Sequence, residues 1–287
     1  MINDQSYFNA INKRKSIRKY RDEVFNEELT RKVVNTINKN LKGEFEEKIG
    51  VFLKLNGKEI QNYLRGFIGS YGKIHAPHYL IVTNTKEEDL LVETGRVVEK
   101  IILELTMLGI GTCWIGGQFK GKELIQELNL DENTFVVAII ALGTPKDRDK
   151  PRDLSLSKKR KSLDDIYFQM PYPDNGTDEL KSFEKLEKAV ISVQLAPSAV
   201  NMQPWRMIFF RDGVHFYCQE KKILTKAFGY QLHYLDMGIA MAHFELVMTE
   251  EGIRGSFRRV KQQTPKGLEY ISSYVFEQIV SYFSEQD

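Results

Sequence analysis

Two long apolar helical segments with matching ends constrain the fold of this chain most strongly. Glu93-Thr-Gly95 opens the first segment and Gly109-Ile110 closes it, while Asp236-Met-Gly238 opens the second and Gly252-Ile253 closes it. In both segments fourteen positions separate the two glycines. Two such helices could coincide by chance, but the pattern favours two copies of one unit of strands and helices. Two copies would pack about a pseudo-two-fold axis, as the subunits of symmetric dimers do.

Hydrophobic periodicity predicts the other helices and strands. The segment from Asn26 to Asn38 has apolar residues at positions i, i+4, i+5 and i+8, typical of one helical face, and Asn26 is a suitable N-cap. The continuous apolar run 134–142 is typical of a strand buried on both faces. Further elements are predicted as a helix at 183–195 and strands at 51–55, 79–82, 205–210 and 214–218, with 270–283 open between strand and helix.

The overall charge is nearly balanced, with 41 Lys and Arg residues against 39 Asp and Glu residues and a formal net charge of +2. No global field therefore favours nucleic acid or a membrane surface as a partner. The longest apolar run, 135–142, is far shorter than the roughly 20 residues that span a bilayer, and residues 1–12 lack the pattern of a secretory signal. We therefore expect a soluble cytoplasmic protein of two domains or one large one.

Cysteine and histidine spacing predicts neither disulfides nor a metal site. Cys113 and Cys218 lie 105 positions apart and are expected to be small buried thiols. His75 and His78 are three positions apart, with no third ligand evident. The sequence also contains no G-x-S-x-G or H-E-x-x-H motif. If the protein is an enzyme, a cofactor is expected to carry its chemistry.

The basic segment Arg14-Lys-Ser-Ile-Arg18-Lys19 is one candidate binding element. If it is extended, alternation places Arg14, Ser16 and Arg18 on one side. Two guanidiniums and a hydroxyl on one face suit a phosphate or a carbonyl-rich ring. The alternative is a solvated basic turn before a helix. A second run, Lys158-Lys-Arg-Lys161, could also contact phosphate or could be a solvated loop, and no aromatic residues interrupt it as nucleic-acid binding would favour.

Two loops are further candidates. Ala196-Pro-Ser-Ala-Val-Asn-Met-Gln-Pro-Trp205 combines stiffening prolines with neutral hydrogen-bonding side chains, although it could be a connector with Trp205 in the core. Gly109-Ile-Gly-Thr-Cys-Trp-Ile-Gly-Gly117 has enough glycine for backbone N–H groups to approach a ligand closely, or it is a helix C-cap followed by a turn. It does not match G-x-G-x-x-G, which disfavours a dinucleotide fold.

Together these segments resemble the nitroreductase family of FMN-dependent oxidoreductases. The 14–20 segment is similar to that family's R-x-S-x-R-x-[FY] signature, 196–205 to its A-P-S-x-x-N-x-Q-P-W loop, and 108–117 to its L-G-[LI]-G-x-x-W-[IL]-G segment. Leu142-Gly-Thr-Pro145 and 160–166 resemble its C-terminal G-x-P and R-K-P-L-E-E-I stretches. The resemblance implies an α+β fold made of two degenerate copies of an antiparallel-sheet-plus-helices unit, packed as a pseudo-dimer.

The order of the motifs departs from the family. Its P-S-x-x-N loop normally follows R-x-S-x-R by about one helix, whereas residues 40–48 lack the motif here and the loop comes late in the chain. Family members are homodimers with FMN at the interface, and each subunit supplies part of the site. The resemblance therefore implies an N-terminal half at 1–168 and a C-terminal half at 169–287, intertwined, which share one complete site. It implies one FMN per chain and a monomer that needs no partner, with further oligomerisation open.

The resemblance also assigns roles to individual residues. The phosphate and ribityl chain would be met by basic side chains, namely Arg14, Lys15, Lys159 and Lys161. The phosphate-proximal side or the pyrimidine ring would be held by Ser16 and Arg18. The isoalloxazine would lie between two backbone segments, Ile115-Gly116-Gly117 near its N5 edge and Pro197, Ser198 and Asn201 from the other half. The run of four basic residues leaves the choice of Lys159 and Lys161 open to a shift of one.

The implied reaction is hydride transfer from NADH or NADPH to FMN and then to a small acceptor such as a nitroaromatic or a quinone. No protein residue is expected to be catalytic, because the chemistry would take place on the flavin. Two alternatives stay open. One is a flavin carrier or sensor without strong turnover, and the other is a non-flavin binding module whose motifs have decayed.

Overall fold

The computed structural model describes residues 6–43, 47–65, 74–85, 90–116, 119–147, 160–169, 179–210, 212–219 and 232–277. The α-helices in these ranges are α1 Tyr7–Lys13, α2 Glu27–Leu41, α3 Gly57–Gln61, α4 Leu90–Met107, α5 Gly121–Glu127, α6 Leu163–Ile166, α7 Glu179–Leu195 and α8 Leu232–Glu250. The strands are β1 Ile49–Lys54, β2 His78–Thr85, β3 Gly111–Gly116, β4 Thr134–Gly143, β5 Tyr167–Gln169, β6 Trp205–Phe210, β7 Gly213–Cys218, β8 Gly255–Arg258 and β9 Glu269–Phe276.

The strands form two sheets with the same internal order. The first sheet runs β1-β2-β4-β3, and the second runs β6-β7-β9-β8 with β5 added at the β6 edge. All pairs are antiparallel except β5 with β6. Each sheet has a register shift between equivalent strands. In the β2–β4 pair it lies between Val82 and Thr83, and in the β7–β9 pair it lies between Phe216 and Tyr217. This repeated topology confirms the predicted α+β class built from two antiparallel-sheet-plus-helices units.

Helices α4 and α8 cross at the two glycines that marked the repeat. A Cβ added at Gly95 would collide with the carbonyl oxygen of Leu235, and a Cβ added at Gly238 would collide with that of Val92. Leu235 lies 143 positions after Val92, and Gly238 lies 143 positions after Gly95, so each pair occupies equivalent positions in the two units. The two contacts are therefore equivalent under exchange of the units, as expected at an isologous interface. The absence of side chains at both glycines lets the helix backbones touch.

The core is shared between the units. The buried cluster around the second sheet includes Ala10 and Leu103 from the N-terminal part of the chain, and the cluster around the first sheet includes Leu232 and Leu235 from α8. Strand β5 pairs with the second sheet, although it follows the first sheet's strands in sequence. The expected boundary between 168 and 169 falls inside this strand. Within the part of the chain described here, no helix is long and apolar enough to cross a membrane.

Most of the strongly periodic segments have the predicted structure. Asn26 caps α2 by accepting the backbone N–H of Leu29 at 2.8 Å. Gly109 and Gly252 follow α4 and α8 with φ of 76° and 78°, the left-handed conformation of a C-cap glycine. The open segment 270–283 is a strand as far as Phe276. The glycine-rich stretch after Gly109 is strand β3, because it pairs along its length with β4.

Candidate functional site

The 14–18 segment leaves α1 and runs beside β3. The Ile17 N–H donates to the Thr112 carbonyl at 2.9 Å, and Ser16 forms a parallel bridge with Thr112. Burial raises the pKa of the Cys113 thiol in β3, while the positive charges of Arg18 and Arg14 and a hydrogen bond from Ser16 act in the opposite direction. The three side chains of the R-x-S-x-R pattern therefore all lie near enough to this thiol to affect its pKa.

Within this segment the side chains differ in exposure. Arg14 is 4% exposed, Lys15 and Ser16 are half-buried, and Arg18 is exposed. The Nε and Nη1 atoms of Arg14 are buried and have no hydrogen-bond partner among the described residues. A buried guanidinium with unused donors is costly unless an acceptor is supplied. This arrangement fits an anionic ligand such as the phosphate or pyrimidine edge of FMN.

The glycine segment contributes backbone rather than side chains. Ile115 is 3% exposed and packs into the core with Ile139 and Tyr20, so only its main chain could face a ligand. Gly116 is the last residue of β3 and pairs with Ala138. Gly117 lies outside the described residues.

The basic run is attached to the 196–203 loop. The Lys161 N–H donates to Gln203 Oε1 at 2.8 Å, and the Lys161 carbonyl accepts from Gln194 Nε2 at 2.8 Å. Arg160, which the sequence did not single out as a binding residue, donates through Nη1 to the Ala196 carbonyl at 2.6 Å. Lys159 lies outside the described residues. The structure therefore places Lys161 beside the predicted flavin loop and shows that Arg160 anchors that loop.

The 196–203 loop has an unusual backbone held by its own side chains and by α8. Val200, Asn201 and Gln203 have φ of 44°, 60° and 50°, and positive φ is strained for a β-branched residue such as Val200. The Ser198 hydroxyl accepts the Gln203 N–H at 2.9 Å. Pro197 is buried, Ser198 is half-buried and Asn201 is exposed. Strain of this kind persists where surrounding contacts fix the loop, and it is common at ligand sites.

Asp236 of α8 supplies one of these contacts. Both of its carboxyl oxygens accept the backbone N–H of Ala199. Burial raises the pKa of this carboxyl well above its usual range, and the hydrogen bond from Ala199 opposes that shift. The sequence marked Asp236 only as part of the repeat, because a single acid in an apolar helix carries no signal of what it contacts.

A second buried polar group joins the two units. Glu99 of α4 accepts from Trp114 Nε1 at 2.8 Å and contacts His243 Nε2 of α8 at 3.0 Å. Arg14 Nε lies 3.7 Å from the same carboxylate. Sequence reasoning missed Glu99 and His243, which sit within long apolar helices. The described residues contain no group of three or more metal-ligating side chains.

The R-x-S-x-R segment and the flavin loop therefore meet the same pair of helices. Arg14 contacts Glu99, one turn after Gly95 in α4, and Gly95 packs on the α8 backbone at Leu235. The neighbouring Asp236 holds the loop at Ala199. The crossing of α4 and α8 is thus the common support of both sets of predicted residues.

The family model described as "Putative TM nitroreductase" matches residues 6–248. A crystal structure described as a "putative nitroreductase" from Thermotoga maritima MSB8 is 21% identical, with 96% of this chain and 95% of that chain covered and a TM-score of 0.60. This likeness shows a shared fold over nearly the whole chain.

Two further structures match about half of the chain. An "FMN-dependent Nitroreductase" from Clostridium difficile R20291 is 21% identical, covering 55% of this chain and 96% of that chain with a TM-score of 0.46. A "nitroreductase family protein" from Clostridium novyi NT is 23% identical, covering 51% and 90% with a TM-score of 0.42. No curated protein sequence gave a significant match.

Proposed function

Because this chain belongs to the oxidoreductase family described as "Putative TM nitroreductase", we propose that it is an FMN-dependent oxidoreductase. It would pass hydride from NADH or NADPH, through the flavin, to a small acceptor such as a nitroaromatic or a quinone. The observation that carries the proposal is Arg14, a buried guanidinium with two donor atoms unused. Arg14 Nε lies 3.7 Å from Glu99 Oε1, too far for a hydrogen bond. Buried donors without an acceptor are costly, which favours an anionic ligand at this guanidinium.

The residues that would hold FMN come from both units. Basic and hydroxyl side chains would bind its anionic and carbonyl oxygens, namely Arg14, Lys15, Ser16, Arg18, Lys159 and Lys161. Charge-assisted hydrogen bonds suit these residue types. Backbone and loop residues would bracket the ring, namely Ile115, Gly116, Gly117, Pro197, Ser198 and Asn201. The contacts of Lys161 with Gln203, and of Asp236 with Ala199, support this placement because they fix the loop beside the basic run.

When bound, FMN would supply the hydride and electron chemistry, so no protein residue is assigned a catalytic role. The chain's own part is to bind and orient. The N–H groups at the end of β3 and the cationic side chains of the 14–18 segment would provide hydrogen-bond donors, which would stabilise negative charge where it develops on the flavin. Asp236 and Arg160 hold the strained loop in place.

We further propose that residues 1–168 and 169–287 are degenerate, intertwined halves that together form one site per chain. The first half provides the R-x-S-x-R segment and β3, and the second provides the 196–203 loop. Each half lacks the motifs of the other. A second site, generated by exchanging the roles of the two halves, would therefore lack both the R-x-S-x-R segment and the P-S-x-x-N loop. The α4–α8 crossing joins the halves within one chain, which makes a monomer sufficient and leaves further oligomerisation open.

The test is a visible spectrum of the purified protein, with flavin released and quantified, before and after anaerobic NADH or NADPH. We expect yellow protein with one FMN per chain, bleaching by reduced nicotinamide, and reoxidation by a nitroaromatic or quinone. Bleaching without reoxidation by any acceptor would favour a carrier or sensor. Colourless protein that ignores added FMN would overturn the proposal, and two FMN per chain would overturn its arrangement of halves.

A further inference from the structure

The hydrogen bonds around Glu99 and His243 determine how many protons this buried pair carries. Glu99 and His243 are both fully buried, and Glu99 Oε1 lies 3.0 Å from His243 Nε2. On the other side of the ring, His243 Nδ1 lies 2.8 Å from the carbonyl oxygen of Ser192. A carbonyl only accepts, so His243 Nδ1 carries a hydrogen.

The remaining contact also needs a proton. A carboxylate oxygen and an unprotonated ring nitrogen are both acceptors, so a hydrogen must lie between Glu99 Oε1 and His243 Nε2. The pair is then either carboxylate with imidazolium or carboxylic acid with neutral imidazole. Its net charge is zero in both cases. Trp114 Nε1 donates to the other oxygen, Glu99 Oε2, and adds no charge.

Arg14 is consequently left with an uncompensated charge. Its guanidinium stays protonated in proteins, it is 4% exposed, and its Nε lies 3.7 Å from Glu99 Oε1, beyond hydrogen-bond distance. Had Glu99 been a lone carboxylate, it would pair with Arg14 and cancel that charge. Because His243 brings a proton to Glu99, the Arg14–Glu99–His243 group has a net charge of +1 and two unused Arg14 donors.

We propose that His243 neutralises Glu99 so that Arg14 keeps its charge for an anionic oxygen of the bound flavin nucleotide. His243 and Glu99 are thus positioning residues, which act on the ligand through Arg14. This inference rests on the proposed function. It assigns to the C-terminal half, through His243 of α8, control of a charge that the N-terminal half presents. The anionic oxygen belongs either to the phosphate or to the pyrimidine edge of the reduced ring.

Two substitutions are expected to act in opposite directions. His243→Gln keeps a donor towards Glu99 but brings no extra proton, so Glu99 becomes a lone carboxylate and pairs with Arg14. We expect the FMN dissociation constant of the apoprotein to rise by about tenfold or more, the effect of one lost hydrogen bond to a charged group. Glu99→Gln leaves a donor for His243, an acceptor for Trp114 and a free Arg14, so FMN affinity should not fall.

The double variant Glu99→Gln/His243→Gln distinguishes charge from structure. It removes the lone carboxylate, so affinity should recover towards that of Glu99→Gln alone. A merely structural role predicts that both single variants weaken binding in parallel and that the double variant is worse. His215→Gln is the matched control, because His215 is also buried and its Nδ1 lies 2.6 Å from Ser273 Oγ in the second sheet. It should lower stability to urea without changing FMN affinity.

Further measurements distinguish the possible positions of the anionic oxygen and test the protonation of His243. If the oxygen that Arg14 binds is on the phosphate, His243→Gln should weaken the binding of FMN but not of riboflavin. If it is on the ring, the substitution should weaken the binding of both flavins and lower the flavin midpoint potential. Wild-type protein that binds no flavin overturns the proposed function. Nitrogen NMR of the flavin-free protein tests the proton count independently, and we expect a protonated His243 Nδ1. An unprotonated Nδ1, an unchanged affinity in His243→Gln, or an equal loss in Glu99→Gln overturns this inference.

Discussion

Asp236 accepts the backbone N–H of Ala199 through both carboxyl oxygens, at 3.0 and 3.1 Å, and so ties the strained 196–203 loop to the helix that crosses α4. Asp236→Ala removes this acceptor and leaves the Ala199 N–H without it, at a cost of about 1–3 kcal/mol. We expect weaker FMN binding and a lower free energy of unfolding.

Asp236→Asn is the control for this prediction. The amide oxygen still accepts from Ala199, so FMN affinity should stay close to that of the unchanged protein. Flavin fluorescence titration measures the binding, and urea unfolding measures the stability. If the alanine and asparagine variants bind FMN equally well, Asp236 does not hold the loop.

The same carboxyl predicts a pH dependence of stability. Burial raises the pKa of Asp236 well above its usual range, so the folded protein holds this proton to higher pH than the unfolded chain does. Between the unfolded and folded pKa values the native state binds more protons, so the contribution of Asp236 to stability falls as pH rises. Below the unfolded pKa it no longer changes with pH.

The side chain of the Asp236→Asn variant cannot titrate, so its stability should lack this contribution to the pH dependence. We expect the free energy of unfolding of the unchanged protein, relative to the asparagine variant, to decrease as pH rises above about 4, near the ordinary pKa of an aspartic acid. Urea unfolding of both proteins over a pH series measures the difference. A difference that is constant with pH, or that grows in favour of the unchanged protein, contradicts the prediction.

The sequence predicted those elements whose pattern is local. Helices α4 and α8 are long apolar segments that end next to glycines, and strand β4 is a continuous apolar run. Each of these signals lies within about twenty residues of sequence. Strands β3 and β5 lacked such a signal, because β3 is glycine-rich and β5 has three residues, and both depend on pairing with distant strands.

In the candidate site, too, the residues with a local sequence pattern could be predicted and those that depend on distant contacts could not. Motif residues such as Arg14 and Ser198 could be named from sequence, since their spacing is fixed along the chain. Their supports, Glu99, His243 and Asp236, could not, because a polar residue inside an apolar helix shows its partner only when another segment packs against it. The roles that the family resemblance assigns to the motif residues stay predictions until flavin binding is measured.

The contact between α4 and α8 predicts a strong effect of small substitutions. Gly95→Ala or Gly238→Ala places a methyl group against the backbone of the other helix, which cannot move aside as a side chain would. Overpacking of this kind costs about 1–3 kcal/mol, so the urea midpoint should fall in both variants. Losses of similar size are expected because the two contacts involve equivalent positions of the two units.

Gly121→Ala is the matched control for the crossing. Gly121 begins α5, and an added Cβ would meet only ordinary contacts at 3.8 Å. The substitution should leave stability unchanged or raise it, since alanine restricts the unfolded chain more than glycine does. If all three alanine variants lose the same stability, the effect comes from helix backbone alone and not from the crossing.

Arg160 and Lys161 are adjacent but are expected to affect different parts of the flavin. Arg160 donates to the Ala196 carbonyl and so supports the loop that would bracket the ring. Lys161→Ala removes a cation assigned to the phosphate, so its dissociation constant should rise for FMN and not for riboflavin, by about tenfold for a charged contact. Arg160→Ala should weaken both ligands, because the loop is loosened whichever flavin is bound. Parallel titrations with the two flavins measure this, and a phosphate-selective loss in Arg160→Ala with none in Lys161→Ala would shift the phosphate contact by one residue.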